Sequence, residues 1–232
     1  MGISENLAEI KSQIARAAAK SGRKPEEITL VAVTKTVGAA RVNEAVSLGV
    51  TELGENRVQE LLTKYDEVPG VSWHMIGRLQ TNKVKFIIDK VRMIHSLDSL
   101  RLAEEISRRA AAASLTMDAL VEVNIGGEAQ KGGVAPAELG EFVEKAARLP
   151  AIRLRGLMTV APVVVKSEES RHYFREMRHL FIDIRQKSRH NESNGKIRFD
   201  TLSMGMTGDF AVAVEEGATM VRIGSGLFGA RL

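Results

Sequence analysis

The sequence predicts an α/β fold: a single (β/α)8 TIM barrel with one extra helix at the amino-terminal end. Short β-branched or apolar runs alternate with helical patterns along all 232 residues. There are eight such runs, and eight parallel strands that alternate with helices close into a barrel. The length and the hydrophobic content of 44% suit one large core. We therefore expect residues 1–232 to form one domain.

The predicted strands are runs rich in β-branched and apolar residues, bounded by turn-forming residues. In chain order they are Ile28 to Lys35, Glu52 to Glu55, Ser72 to Gly77, Met93 to Leu97, Ala119 to Ile125, Arg153 to Val160, Phe199 to Met204 and Met220 to Ile223. The first run is apolar enough to be buried on both faces, as strands of parallel sheets are. In a barrel, the carboxyl ends of all eight strands lie at one rim.

Helices are predicted where apolar residues recur three and four positions apart. Two clear stripes lie between the later strands: Leu139, Phe142, Val143 and Ala146, then Phe174, Met177, Phe181 and Ile184. The extra helix opens the chain, and its apolar face consists of Leu7, Ile10, Ile14 and Ala17. Only eight residues follow Gly224, so we expect no helix behind the last strand and expect the first helix to cover the gap there.

The composition argues against several classes of function. The chain has no cysteine, which excludes disulfides and thiolate metal sites and permits a reducing compartment. The amino-terminal residues lack a secretory pattern, and no apolar stretch approaches the ~20 residues that a membrane span needs. The net charge is +4, but basic and acidic residues are interspersed, which disfavours nucleic acid as a partner. We expect a cytoplasmic protein without a membrane partner.

Polar residues, glycines and one methionine occur where the predicted strands end. They are Lys35, Asn56, His74, Gly77, Ser96, Asn124, Met158, Ser203 and the glycine cluster that begins at Gly224. Because barrels hold ligands at the carboxyl ends of their strands, we expect these residues to face one site. Lys35 is the most informative of them, since a lysine amine there is a potential nucleophile. The alternative is a strand-end lysine that only reaches solvent, which is common.

Two glycine-rich turns follow the last two strands. They are Ser203-Met204-Gly205-Met206-Thr207-Gly208 and Gly224-Ser225-Gly226-Leu227-Phe228-Gly229. The second has the spacing of a dinucleotide-binding fingerprint, but the strand and acidic residue that such a fold needs do not follow it. What remains is a pair of turns whose backbone amides can surround a phosphate, where barrels commonly bind one. Alternatively, the glycines only permit tight turns.

Arg222 interrupts the otherwise apolar eighth strand, two residues before Gly224. A buried guanidinium stays protonated and needs partners. Two interpretations are open: Arg222 pairs with a carboxylate inside the barrel, or it donates to a ligand beside the phosphate. An amine and a phosphate-binding turn in one pocket indicate a phosphorylated aldehyde held as a Schiff base. Pyridoxal 5′-phosphate (PLP) is the obvious cofactor of that kind.

No metal site is predicted. None of the five histidines forms a pair with metal-ligand spacing to a nearby acid. No serine lies in a nucleophile-elbow pattern, which argues against a serine hydrolase.

Six segments carry motifs that are spread over nearly the whole chain. They are Leu30 to Thr36, Gly54 to Glu60, Trp73 to Lys83, Gly156 to Thr159, Leu202 to Asp209 and Val221 to Gly224. With these motifs the chain resembles the pyridoxal phosphate homeostasis proteins. Their barrel is similar to the amino-terminal domain of alanine racemase and other fold-type III PLP enzymes. Thr207, where the family has serine, and Gly226, where alanine is commoner, are mild departures.

The resemblance implies a set of cofactor-binding residues and no catalytic ones. Lys35 would form the Schiff base with PLP, and Arg222 would face the pyridine nitrogen. The remaining predicted residues are Ser203, Gly224 and Ser225 at the phosphate, Asn56 and Met158 lining the pocket, and His74 and Gly205.

The resemblance also implies a monomeric protein that binds PLP, controls the free cofactor and delivers it to PLP-dependent apoenzymes without strong catalysis. Two alternatives stay open. One is a PLP-dependent amino acid racemase of fold-type III, but such enzymes use a second domain for which this chain leaves no residues. An arginine beside the ring nitrogen also leaves the ring a poorer electron sink. The other is an aldolase-like or phosphosugar enzyme that uses Lys35 without PLP.

Overall fold

The computed structural model describes residues 2–128, 130–188 and 197–229. Eight strands pair in parallel, each with the next along the chain, and the eighth closes onto the first. They are Thr29–Val33 (β1), Glu52–Glu55 (β2), Ser72–Met75 (β3), Met93–Leu97 (β4), Met117–Glu122 (β5), Ile152–Met158 (β6), Ile197–Ser203 (β7) and Met220–Ile223 (β8). The predicted TIM barrel is confirmed. β1 ends two residues before Lys35, because the backbone turns at Thr36, whose φ is +63°.

Eight α-helices are described around the barrel. They are Ile3–Lys20 (α1), Ala39–Ser47 (α2), Val58–Tyr65 (α3), Leu100–Ala112 (α4), Leu139–Ala147 (α5), Arg171–Ser188 (α6), Phe210–Glu215 (α7) and Ser225–Phe228 (α8). Short 3₁₀ helices cover Pro25–Glu27, Thr81–Phe86, Pro136–Glu138 and Ser167–Ser170. The one over Thr81–Phe86 stands in the β3–β4 connection, where the alternating pattern predicts an α-helix.

The end of the chain differs from the prediction. We expected no helix after β8, and this was wrong: α8 forms one turn, because the Gly224 carbonyl accepts from the backbone amides of Leu227 and Phe228 at 2.9 Å each. The expected role of α1 is confirmed, since it packs against α7 and α8. The side-chain amide of Asn6 also donates to the Leu227 carbonyl at 3.0 Å.

Alternation along the strands sorts side chains between two layers. Outward residues such as Leu53, Trp73 and Val221 belong to the apolar core between barrel and helices. Met93, Leu120 and Met158 form a separate small cluster, which we assign to the barrel interior. Polar side chains share that interior, so it can hold hydrogen-bond networks. Within the described ranges, none of the helices combines the length and apolar character needed to cross a bilayer.

Candidate cofactor site

A cavity of about 300 Å³ opens where β1 and β8 end. It is lined by Lys35 from the turn after β1 and by Gly224 and Ser225 from the turn after β8. Its size lies at the lower end of the usual range for small-molecule sites. Three of the nine predicted site residues therefore share one cavity at the carboxyl rim, although they are far apart in the sequence.

The turn that carries Lys35 is fixed by backbone hydrogen bonds. The Thr34 amide donates to the Gly54 carbonyl at 3.0 Å, and the Val37 amide donates to the Thr34 carbonyl at 2.9 Å. Thr36 adopts a left-handed conformation that is unusual for a β-branched residue. Its amide donates to the Glu60 carboxylate at 2.9 Å, which stabilises this strained backbone.

A buried ion pair lies directly behind this turn. Lys64 on α3 donates to the Glu55 carboxylate at 2.6 Å and to the Thr34 carbonyl at 2.7 Å. The Thr34 hydroxyl donates to the same Glu55 oxygen at 2.7 Å, and Glu60 lies 3.8 Å from the Lys64 amine. The Glu55 side chain is fully buried and that of Lys64 is 9% exposed. These four residues, Thr34, Glu55, Glu60 and Lys64, form what we call the outer cluster, which anchors the backbone before Lys35 to α3.

Asn56 is held at the end of β2 by close packing. The backbone amide of Asn56 donates to the Glu55 carboxylate at 3.1 Å. Gly77 approaches it so closely that a Cβ at position 77 would lie 2.4 Å from the Asn56 carbonyl oxygen. The Oδ1 atom of Asn56 is buried and has no hydrogen-bond partner within the described part of the chain. A side-chain acceptor in this state is suited to a ligand donor.

Arg222 is buried inside the barrel with a 4% exposed surface. Its guanidinium donates to the Ser203 hydroxyl at 2.6 Å and to the Thr159 carbonyl at 2.8 Å. Burial lowers the pKa of Arg222 to about 10, against the opposing charges of Glu122 and Asp209. The group stays cationic at neutral pH, and both hydrogen bonds go to uncharged oxygens rather than to a carboxylate.

The two glycine-rich turns contact one another. The Thr207 hydroxyl of the first turn accepts from the Gly226 amide of the second at 3.2 Å. Gly205 has φ +91°, and a Cβ there would lie 2.6 Å from the Ala213 Cβ, so the turn requires glycine. The Gly205 carbonyl accepts from the Arg222 amide at 3.0 Å, which connects the first turn to β8.

Comparison with known proteins identifies the family. Residues 6–232 match the family model of the alanine racemase N-terminal domain. A pyridoxal phosphate homeostasis protein of Aquifex aeolicus (strain VF5) is 43% identical over 233 residues, covering 100% of this chain and 99% of that protein. The chain belongs to the pyridoxal phosphate homeostasis protein family. The motif resemblance found in the sequence is confirmed.

Solved structures agree with membership of the homeostasis protein family. PipY of Synechococcus elongatus PCC7942 with PLP bound is 33% identical, with a TM-score of 0.83 over 98% of this chain and 100% of that chain. Alanine racemase of Clostridium difficile 630 is 17% identical, with a TM-score of 0.73, and is matched over 99% of this chain and 57% of its own. The second likeness shows a shared barrel fold only.

Besides Arg222, three predicted site residues of this family member lie inside the barrel, outside the set that lines the cavity. Ser203 is fully buried, and its hydroxyl lies within hydrogen-bonding distance of the Arg222 guanidinium and of the His95 ring. Met158 is 1% exposed and packs in the apolar interior cluster. One ring nitrogen of His74 is hydrogen-bonded to the His95 ring and the other to the carboxylate of Glu52, the first residue of β2. The structure therefore does not bring His74 to the cavity.

Sequence reasoning missed one residue that lines the cavity and one buried carboxyl group at the end of a strand. Arg41 on α2 lines the cavity and donates to the Phe228 carbonyl at 2.7 Å. The sequence feature that could have identified Arg41 is a basic residue in the first turn of the helix that follows Lys35. Glu122, at the end of β5, has a pKa raised by burial and by Asp98, against the charges of Arg222 and Arg78. Within the described ranges no group of three or more His, Cys, Asp or Glu side chains is arranged to hold a metal ion.

Proposed function

We propose that this chain binds PLP covalently through Lys35 and acts in PLP homeostasis and delivery, as a one-domain monomer without strong catalytic activity. The observation that carries the proposal is the cavity shared by Lys35, Gly224 and Ser225. An amine that can react with an aldehyde and a turn that can bind a phosphate line one space of suitable size.

The residues present fit the chemical groups of PLP. Lys35 offers the amine, and the Gly224-Ser225 turn offers backbone amides without a bulky side chain at position 224. The buried Oδ1 atom of Asn56 has no hydrogen-bond partner among the described residues, as expected for a residue that faces a ligand. Arg222 would face the ring nitrogen from inside the barrel, and Met158, Ser203 and Gly205 would support it.

The proposal of weak catalysis rests on Arg222. When bound, PLP supplies an electron sink that stabilises a carbanion beside an amino group, most strongly when its ring nitrogen is protonated. Arg222 holds its proton with a pKa of about 10, so at neutral pH it donates a hydrogen bond and gives up no proton readily. The family name of the relatives, a homeostasis protein, is consistent with this reading.

The decisive test is chemical trapping. Full-length protein is mixed with PLP, separated from unbound PLP and reduced with borohydride. It should show a visible absorption band before reduction and carry the cofactor mass afterwards on the tryptic peptide that contains Lys35. Lys35→Ala should lose both signals, while Lys24→Ala, at an exposed lysine outside the cavity, should keep them. A colourless wild-type protein, or an adduct on another lysine, would contradict the proposal and favour the phosphosugar alternative.

Turnover separates a carrier from a racemase. With PLP saturating, the protein should leave the optical activity of alanine and serine almost unchanged. Racemisation with Lys35 alone should be slow, because a second general acid or base typically contributes about 10²–10⁴-fold to the rate. A PLP-loaded sample should also activate a PLP-dependent apoenzyme. Racemisation at ordinary enzyme rates would overturn the carrier proposal.

A further inference from the structure

A continuous row of polar groups crosses the barrel interior from Arg222 to β2. The Arg222 guanidinium lies 2.6 Å from the Ser203 hydroxyl, which lies 3.3 Å from Nδ1 of His95. Nε2 of His95 lies 2.9 Å from Nδ1 of His74, and Nε2 of His74 lies 2.6 Å from the Glu52 carboxylate. We call these five residues, Arg222, Ser203, His95, His74 and Glu52, the inner chain.

The two ends of the inner chain fix the direction of every hydrogen bond in it. Arg222 can only donate, so the Ser203 oxygen accepts from it and its own hydrogen is free to point at Nδ1 of His95. A neutral His95 then carries its hydrogen on Nε2 and donates to Nδ1 of His74. His74 in turn carries its hydrogen on Nε2 and donates to Glu52, which can only accept when ionised. Donors and acceptors match at all four contacts.

The opposite direction fails at Glu52. If His95 donated from Nδ1 to Ser203, its Nε2 would have to accept from Nδ1 of His74. A neutral His74 would then turn a lone pair toward the Glu52 carboxylate at 2.6 Å, and two acceptors would face each other. Avoiding this needs an extra proton on a pair of rings that are 1% and 0% exposed. Burial is the main cause that lowers the pKa of His95 well below its usual range, which keeps that ring neutral, so the extra proton would have to lie on His74.

We propose that His95, His74 and Glu52 are positioning residues that act on the PLP site through Ser203. They commit the Ser203 hydrogen to His95, so that the Ser203 oxygen only accepts and holds the Arg222 guanidinium in one orientation. Ser203 then has no hydrogen to donate to a phosphate, and its role is to support Arg222. The link to PLP rests on the proposed function, whereas the direction of the hydrogen bonds does not.

The direction is tested by nitrogen NMR on the histidine side chains of the full-length protein without cofactor. Both His95 and His74 should be neutral, with hydrogen on Nε2 and a bare Nδ1. This measurement needs no substitution in the chain beyond those used for resonance assignment. Hydrogen on Nδ1 of His95, or a doubly protonated His74, would overturn the proposal.

The coupling is tested from the far end with Glu52→Gln. A glutamine amide can donate or accept, so His74 no longer has to donate and a second tautomer of His95 should appear, although Glu52 has no hydrogen bond to His95 in the described structure. Asp200→Asn is the matched control, because Asp200 pairs with Arg155 on β6 and has no bond to either ring in the described structure. It should leave both tautomers unchanged. A Glu52→Gln protein with wild-type tautomers would refute the coupling.

PLP titration completes the test. Glu52→Gln should weaken PLP binding by about threefold to tenfold, the effect of loosening one hydrogen bond to a charged group. Affinity equal to that of the wild type would overturn the positioning role, whereas a wild type that binds no PLP would overturn the proposed function instead. If Glu52→Gln does not fold, His95→Gln takes its place: a fixed Nε2 hydrogen on His74 supports the proposal, and a moved one contradicts it.

Discussion

Two polar networks, one behind the turn of Lys35 and one inside the barrel, are built differently. In the outer cluster the opposite charges of Lys64 and Glu55 are in contact at 2.6 Å, beneath α3 and against the backbone of β1. In the inner chain Arg222 and Glu52 stand at the two ends, with the Ser203 hydroxyl and two histidine rings between them. The outer cluster therefore fixes backbone position, and the inner chain fixes the orientation of one side chain.

The difference teaches which property each network controls. Loss of one partner of a contacting buried pair strands a charge in a low-dielectric region and lowers the free energy of unfolding. Removing one of the middle side chains of the inner chain leaves only an uncharged polar group without a partner. The main effect is then on the orientation of the Arg222 side chain. We expect the outer cluster to dominate stability and the inner chain to dominate cofactor affinity.

The largest expected effect breaks the outer cluster. Lys64→Met leaves the fully buried Glu55 carboxylate without its cation and should lower the free energy of unfolding by about 3–5 kcal/mol in urea denaturation. The matched control is Lys145→Met, which removes the same charge from an exposed pair with Glu141 and should change little. Equal losses in the free energy of unfolding at the two positions would show that the buried pair contributes no more to stability than the exposed one.

The next effect is on the pH dependence of stability and concerns the inner chain. The folded-state pKa of His95 lies well below its usual value, chiefly because of burial. The unfolded chain therefore binds an extra proton as pH falls below about 6.5, and stability present above that pH is lost at up to about 1.4 kcal/mol per pH unit. His95→Gln should lose less stability than the wild type between pH 7.5 and pH 5.

His172→Gln provides the control for that comparison, because His172 lies exposed on α6. Its stability should follow the wild-type curve across the same pH range in urea denaturation. A His95→Gln curve parallel to the wild type would mean that burial of a neutral His95 contributes nothing to acid sensitivity.

The smallest effect sharpens what the outer cluster does for Lys35. Thr36 and Ser114 are the two non-glycine residues with positive φ in the described ranges, at +63° and +55°. Glycine at either position relieves left-handed strain at some entropic cost, so each substitution should raise the free energy of unfolding by about 0.5–1 kcal/mol. Only Thr36→Gly should also weaken PLP binding, because it loosens the turn that carries Lys35. If Thr36→Gly binds PLP as tightly as the wild type does, the conformation of that turn does not contribute to PLP affinity.

Much of the fold was accessible from the sequence because its signals are local. The strands β2, β4 and β8 have the predicted bounds, and each is a short run of four or five residues between helical patterns. The β3–β4 connection was harder, because a 3₁₀ helix over Thr81–Phe86 leaves only a weak apolar stripe. The single turn of α8 was missed because it depends on backbone bonds at Gly224 rather than on a repeated pattern.

The site was predictable only where the topology already brings residues to one rim. Lys35, Gly224 and Ser225 follow this rule, because the ends of β1 and β8 must be neighbours in a closed barrel. The contact of His74 with His95 joins residues 21 positions apart and depends on strand register. The pairing of Lys64 with Glu55 likewise depends on how α3 packs, so neither pattern is visible as sequence spacing.

The join between β1 and β8 has a consequence for biosynthesis. Lys35 is made well before Arg222, Gly224 and Ser225, which lie almost 190 residues further along the chain. The nascent chain thus presents its amine long before the opposite wall of the cavity exists. Barrel closure by β8 is the event that completes the pocket, so the complete cavity can form only after β8 has been made.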